Sequence, residues 1–131
     1  MTRAQVAARG DRPRVLLVDD DAALRAALQF ALQLDGLSVE TFASAEDLLQ
    51  RADVADASCL VLDQNLPGMT GLDLLGVLRR GDATIPAVLI TTHPAADLRR
   101  KAKAADVEIV EKPLLSDALL RSVLTLVATR P

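Results

Sequence analysis

The stretch Cys59-Leu60-Val61-Leu62-Asp63-Gln64-Asn65-Leu66-Pro67-Gly68-Met69-Thr70-Gly71 decides how the chain is read. Its apolar opening suits a strand buried on both faces, and the Pro67-Gly68 pair signals the turn beyond it. Asp63 is thereby delivered to the rim of a sheet. Upstream, the apolar run Val15-Leu16-Leu17-Val18 ends in Asp19 and Asp20. Acids at the ends of separate strands mark a site rather than packing.

Working outward, strand and helix alternate. Asp20 or Asp21 caps a helix that carries Leu24, Leu28, Ala31 and Leu32 and stops at Asp35-Gly36. Leu37 to Phe42 alternates as a second strand, and Ser44 with Asp47 forms a capping box for a helix through about residue 52. Beyond Gly68, Leu72, Leu75 and Leu78 line a helix that Gly81 ends. Ile85 to Thr91 reads as the fourth strand, with Pro86 near its start. Pro94 opens a helix bearing Leu98, Ala102 and Ala105. Val107 to Val110 is the fifth strand, and Ser116 caps a last helix through about Ala128. Five strands alternating with five helices require right-handed crossovers, hence an α/β fold: a doubly wound parallel sheet with helices on both faces.

Composition narrows the function classes. The 131 residues fit one domain, residues 14–128, with a short arm at 1–13 and a tail at 129–131. Aromatics make up 2% of the chain, so the core must be aliphatic. A net charge of -3 provides no basic footprint for nucleic acid and no polybasic membrane signal. No apolar run approaches the roughly 18–20 residues that span a bilayer. The single cysteine, Cys59, excludes a disulfide framework and points to the cytoplasm.

Ligands of open parallel sheets bind beyond the carboxyl ends of the strands. Asp19 and Asp20, Asp63, Thr91 and Thr92, and Lys112 all fall at that edge, after four different strands. Two carboxylates about 4 Å apart repel by about 4 kcal/mol at an effective dielectric of 20, so the cluster must protonate or hold a cation. Oxygen ligands without nearby His or Cys favour Mg²⁺. An ion so held accepts phosphate oxygens, Lys112 and Thr91 complete a phosphoryl cradle, and Asp63 is the natural nucleophile.

The blocks VLLVDDD from Val15, LVLDQNLPGMTGLDLL from Leu60, PAVLITTH from Pro86 and EKPL from Glu111 resemble the receiver domain of two-component response regulators, from Arg14 to Ala128. The resemblance implies a flavodoxin-like fold with strand order 2-1-3-4-5. It implies that Asp63 accepts a phosphoryl group from a sensor histidine kinase or a histidine phosphotransfer protein. Asp20, Asp63 and the backbone carbonyl of Asn65 would ligate Mg²⁺, with Asp19 holding it through water. Thr91 would be the switch hydroxyl and Lys112 the phosphoryl-pairing lysine. Asn65 and Thr92 would lie beside the phosphoryl group, and Asn65 and His93 would tune its hydrolysis. The bond into Pro113 is expected to be cis.

Departures are equally specific. Ile109 stands where the family usually has an aromatic switch residue, and Ala104-Ala105-Asp106 lacks the glycine usual before the fifth strand. The basic run Arg99, Arg100, Lys101 and Lys103 reads both as a partner or homodimer surface, shared with the fifth helix, and as a solvated face. The last helix is more apolar than one core-facing stripe requires, so part of it is expected to dock on another subunit or partner. His93 reads both as a phosphate-lifetime residue and as an exposed loop residue. The chain, ending at Pro131, reads as a single-domain regulator acting on a downstream protein or as a fragment of a larger one. A phosphorylation-independent interaction module with a vestigial pocket is the alternative. A phosphatase is disfavoured because Asn65, not a second Asp, lies two residues after Asp63.

Overall fold

A computed structural model describes residues 12–129 except positions 52, 55, 82, 83 and 113–116. Most of the expected arm, Pro113 and Ser116 therefore lie outside the described residues. The elements run β1 (Arg14–Val18), α1 (Ala22–Leu34), β2 (Ser38–Phe42), α2 (Ala45–Arg51), β3 (Cys59–Asp63), α3 (Gly71–Arg79), β4 (Ala87–Thr91), α4 (Ala96–Ala104), β5 (Glu108–Glu111) and α5 (Ala118–Thr129). All strand pairings are parallel and the order is β2-β1-β3-β4-β5, as the sequence led us to expect.

Side-chain alternation along the strands builds two aliphatic cores. Leu16, Leu60, Leu62 and Leu89 point to one face and pack with Leu48, Leu74, Leu75 and Leu78 of α2 and α3. Val15, Leu17, Val61 and Ile90 point to the other and pack with Leu32 of α1 and Leu119 and Val123 of α5. Each such buried side chain contributes roughly 1.5–3 kcal/mol. Cys59 is buried at the start of β3, and burial pushes its thiol up to about 12.

The helix ends explain where the expected boundaries shift. Gly36 takes φ 84° after α1, its N–H bonds Gln33, and the Leu37 N–H bonds Leu32. Leu37 thus belongs to this Schellman turn, and β2 starts one residue later. Asp106 does the same after α4, at φ 55°, with its N–H on Lys103 and that of Val107 on Ala102. An aspartate here fills the left-handed position usually given to glycine. β4 starts at Ala87 because Pro86 has no N–H, although its carbonyl still accepts from Leu60 at 2.9 Å.

Three details differ from the sequence expectation. Pro94 precedes the α4 N-cap, Ala95, instead of standing in the first turn. In α3 the buried stripe is Gly71, Leu74, Leu75 and Leu78, with Leu72 only half-buried. In α5, Leu120, Leu124, Leu126 and Val127 are partly buried against the chain's own core, which takes up part of its apolar surplus. No described helix is long and apolar enough to cross a membrane.

Candidate functional site

The two central strands end side by side, and this register gathers the acids. Val18 pairs with Leu62, so Asp19 and Asp63 follow at one edge. Oxygens of Asp19, Asp20 and Asp63 all lie within 4.8 Å of one another. Asp19 is 0% and Asp63 2% exposed, whereas Asp20 faces solvent. Asp21, not Asp20, caps α1, accepting from the N–H groups of Ala23 and Leu24 at 3.0 and 3.1 Å. Asp20 is thereby left free of the capping task.

Lys112 arrives from the far edge of the sheet. Its N–H donates to the Thr91 carbonyl at 2.7 Å, and its Nζ lies 3.3 Å from both Asp19 Oδ2 and Asp63 Oδ2. Partial burial would depress its pKa, but the Asp19 and Asp63 carboxylates outweigh that and hold it above the ordinary lysine value. Burial raises the Asp19 carboxyl, opposed by the Asp21 N–H that donates to its Oδ1 at 2.9 Å and by Lys112, and reinforced by Asp63.

The donor set fits a hard divalent cation. Three carboxylates facing one ammonium leave two formal negative charges uncompensated. Asp19 Oδ2 is buried with the Lys112 ammonium at 3.3 Å but outside hydrogen-bond geometry, which leaves it able to face a second cation. Asp19, Asp20 and Asp63 are the residues able to hold it.

Thr91 ends β4 and is buried, while Thr92 and His93 beyond it are exposed. His93 sits at φ 46°, a conformation for which histidine is among the enriched residue types, so its identity also has a backbone explanation. The Asn65 N–H donates to Asp63 Oδ1 at 3.1 Å, fixing the carboxylate by a local turn. Ile109 is half-buried and packs against the core shared by α2 and α3.

Three positioning residues escaped the sequence reading. Gly71 starts α3 so close to β3 that a Cβ there would stand 2.5 Å from the Asp63 carbonyl oxygen. Its signal was a poor helix former at a first helical position. Gln64 clamps the same helix, accepting from Gly71 through its carbonyl at 3.2 Å and from Leu72 through its side chain at 2.9 Å. Arg25 reaches back from α1 to the Asp19 carbonyl at 2.6 Å. Nothing in the spacing of Gln64 or Arg25 announced these bonds.

The basic run on α4 is largely paired within the chain. Arg99 bonds Glu111 of β5 at 2.6 Å, while Arg100 and Lys101 share Asp97 at 2.7 and 3.0 Å. Lys101 chiefly holds the Asp97 carboxyl below its usual range.

A sheet of this order, with acids after its first and third strands and a lysine after its fifth, defines the CheY-like class of flavodoxin-fold domains. The family model for the response regulator receiver domain matches residues 15–124, and the chain belongs to that family. It is 42% identical over 112 residues to the C4-dicarboxylate transport transcriptional regulatory protein DctD of Pseudomonas aeruginosa, covering 84% of this chain and 24% of that one. It is 36% identical over 112 residues to the transcriptional regulatory protein FixJ of Azorhizobium caulinodans, covering 83% and 52%. The chain thus spans between a quarter and about half the length of these relatives. Among solved structures, the non-phosphorylated HemR receiver domain of Leptospira biflexa superposes with a TM-score of 0.85 at 26% identity, covering 92% of this chain and 98% of that one. The chemotaxis protein CheY4 of Vibrio cholerae gives 0.80 at 27% identity, covering 88% and 98%.

Proposed function

We propose that this receiver domain, residues 14–128, is phosphorylated on Asp63 and signals through altered protein binding. The observation carrying this reading is Lys112 Nζ at 3.3 Å from both Asp19 Oδ2 and Asp63 Oδ2, in a cluster of three carboxylates whose oxygens lie within 4.8 Å of one another. The donor is a phosphohistidine on a sensor histidine kinase or phosphotransfer protein. An Asp63 oxygen attacks phosphorus, a P–O bond forms as the P–N bond breaks, and the imidazole departs with the bonding pair and takes up a proton.

Asp19, Asp20 and Asp63, with the Asn65 carbonyl, would hold Mg²⁺, and Asp19 would act through water. When bound, that ion offsets the charge of the incoming phosphoryl oxygens. Lys112 exchanges its carboxylate contact for a phosphoryl oxygen. The Thr91 hydroxyl donates to another, Thr92 borders the pocket, and Asn65 and His93 set how readily water reaches the acyl phosphate.

Phosphorylation replaces one negative charge by about two on a group with three acceptor oxygens. The loops after β3, β4 and β5 then favour an arrangement that a downstream protein prefers, and the shift equals that partner's differential affinity. With Ile109 in place of an aromatic, the movement of Thr91 and Lys112 carries the response. We place the chain in the cytoplasm on the strength of its free, buried Cys59.

Acetyl phosphate with Mg²⁺ should add one phosphoryl group by intact mass, and Asp63→Asn should abolish the gain. Undiminished labelling of that variant refutes the assignment.

A further inference from the structure

The loop from β3 to α3 closes on itself at Gln64. The Gln64 N–H donates to the Ile90 carbonyl of β4 at 2.9 Å, its carbonyl accepts from Gly71 at 3.2 Å, and its side-chain Oε1 accepts from Leu72 at 2.9 Å. The N–H groups of Gly71, Leu72 and Asp73 precede the first intrahelical bond of α3, from Leu74 to the Thr70 carbonyl at 3.0 Å, so each needs an acceptor outside the helix ladder. Thr70, the N-cap, serves Asp73 through its hydroxyl at 3.1 Å. Gln64 serves the other two, and the shorter of its two bonds is the one its side chain makes.

The peptide unit between Gln64 and Asn65 carries this clamp into the site. It is planar and stiff, so its carbonyl and its N–H turn together. The carbonyl is held by Gly71 of α3, and the N–H donates to Asp63 Oδ1 at 3.1 Å. A tilt that loosens one end loosens the other and swings Asn65 with it. Asp63 is buried whereas Asn65 is exposed, so packing fixes the strand end and leaves the next residues to their bonds. Given Asp63 as phosphoacceptor and the Asn65 carbonyl as a Mg²⁺ ligand, the reading on which this rests, we propose that the Gln64 side chain is a positioning residue. By taking the Leu72 N–H it leaves the Gln64 carbonyl to Gly71 alone, which holds the Asp63 carboxylate and the Asn65 carbonyl in the relative position one ion requires. Without Oε1, Leu72 competes with Gly71 for that carbonyl and the peptide tilts.

Titrating Mg²⁺ into the unphosphorylated full chain, followed by the amide NMR shifts of Asp63, Gln64 and Asn65, tests this. Gln64→Met keeps length and neutrality but removes the acceptor, and its half-saturating Mg²⁺ concentration should rise about threefold to tenfold. Its maximal labelling rate by acetyl phosphate should be retained, because saturation with Mg²⁺ restores the arrangement. Gln64→Glu, whose carboxylate also accepts from Leu72 at a helix start that favours negative charge, should titrate at or below the wild-type concentration. Thr70→Ala removes the other cap of the same helix without touching the Gln64–Asn65 peptide, so it should lower the melting temperature and leave the titration unchanged. A Gln64→Met protein that titrates like the wild type, or a Thr70→Ala protein that shifts as far, overturns the proposal and reduces Gln64 to a helix cap. A wild type without any Mg²⁺ response, or labelling that survives Asp63→Asn, overturns the underlying reading as well.

Discussion

β3 and β5 carry the two poles of the site and are held by opposite means. β3 lies between β1 and β4, is buried along its whole length, and has its last carbonyl covered by the start of α3. β5 is an edge strand paired only with β4, with both ends exposed. Surface bonds steady it: Glu111 to Arg99 at 2.6 Å and Glu108 to the Ser122 hydroxyl at 2.9 Å. Exposed ion pairs contribute about 0–1 kcal/mol, well below the several kcal/mol gained by burying an aliphatic strand. The acid pole is therefore set by packing, and the lysine pole rides on the adjustable edge.

Breaking the packed pole should have the largest effect. Gly71→Ala places a methyl 2.5 Å from the Asp63 carbonyl oxygen and 3.0 Å from its carbonyl carbon, both backbone, with Leu89 Cδ2 at 3.1 Å beyond. Stability should fall by about 1–3 kcal/mol in urea unfolding, with phosphate uptake at Asp63 reduced by the displaced carboxylate. A variant as stable and as readily phosphorylated as the wild type would show that β3 can yield.

Asp19→Asn probes the electrostatic cost of the same pole. Burial raises the Asp19 pKa above its unfolded value. Its contribution is thus fully present below the ordinary value of 3.8 and lost as pH rises through the folded value, leaving a penalty near neutrality. The metal-free variant should melt above the wild type at pH 7, with the gap closing toward pH 4, and Mg²⁺ should stabilise it less. Calorimetry with and without Mg²⁺ measures both.

Asp106→Gly sharpens the contrast at the other pole. Relief of the left-handed backbone at φ 55° competes with the entropy of glycine, so stability should rise by up to ~1 kcal/mol while phosphate uptake stays intact. A loss of stability would mean that the Asp106 side chain, not its backbone, closes α4.

These poles differed in legibility too. Continuous apolar runs ending in acids, as at Val18-Asp19 and Leu62-Asp63, announce both strand and site because burial on two faces leaves no periodicity to misread. Lys112 was legible as a strand-end residue, but its distance to the acids depends on parallel register across three strand pairings. The one-residue shifts of β2 and β5 arose where a helix-terminating turn outcompeted an apolar residue's strand preference, at Leu37 and Val107. Gly71 and Arg25 act on backbone carbonyls, which sequence patterns do not display. Phe30 and Leu34 of α1 are exposed, which their apolar type alone did not announce because residue type does not report burial.

Cys59 gives the buried strand a built-in tamper seal. With its thiol pushed up to about 12, any part it plays in stability holds below the ordinary 9.0 and is lost as pH climbs from there through about 12. Near neutral pH a thiol reagent should mark Cys59 only when β1 and β3 separate, so labelling followed by mass spectrometry clocks the sheet's opening. Labelling faster than global unfolding would reveal that the middle of the sheet breathes by itself.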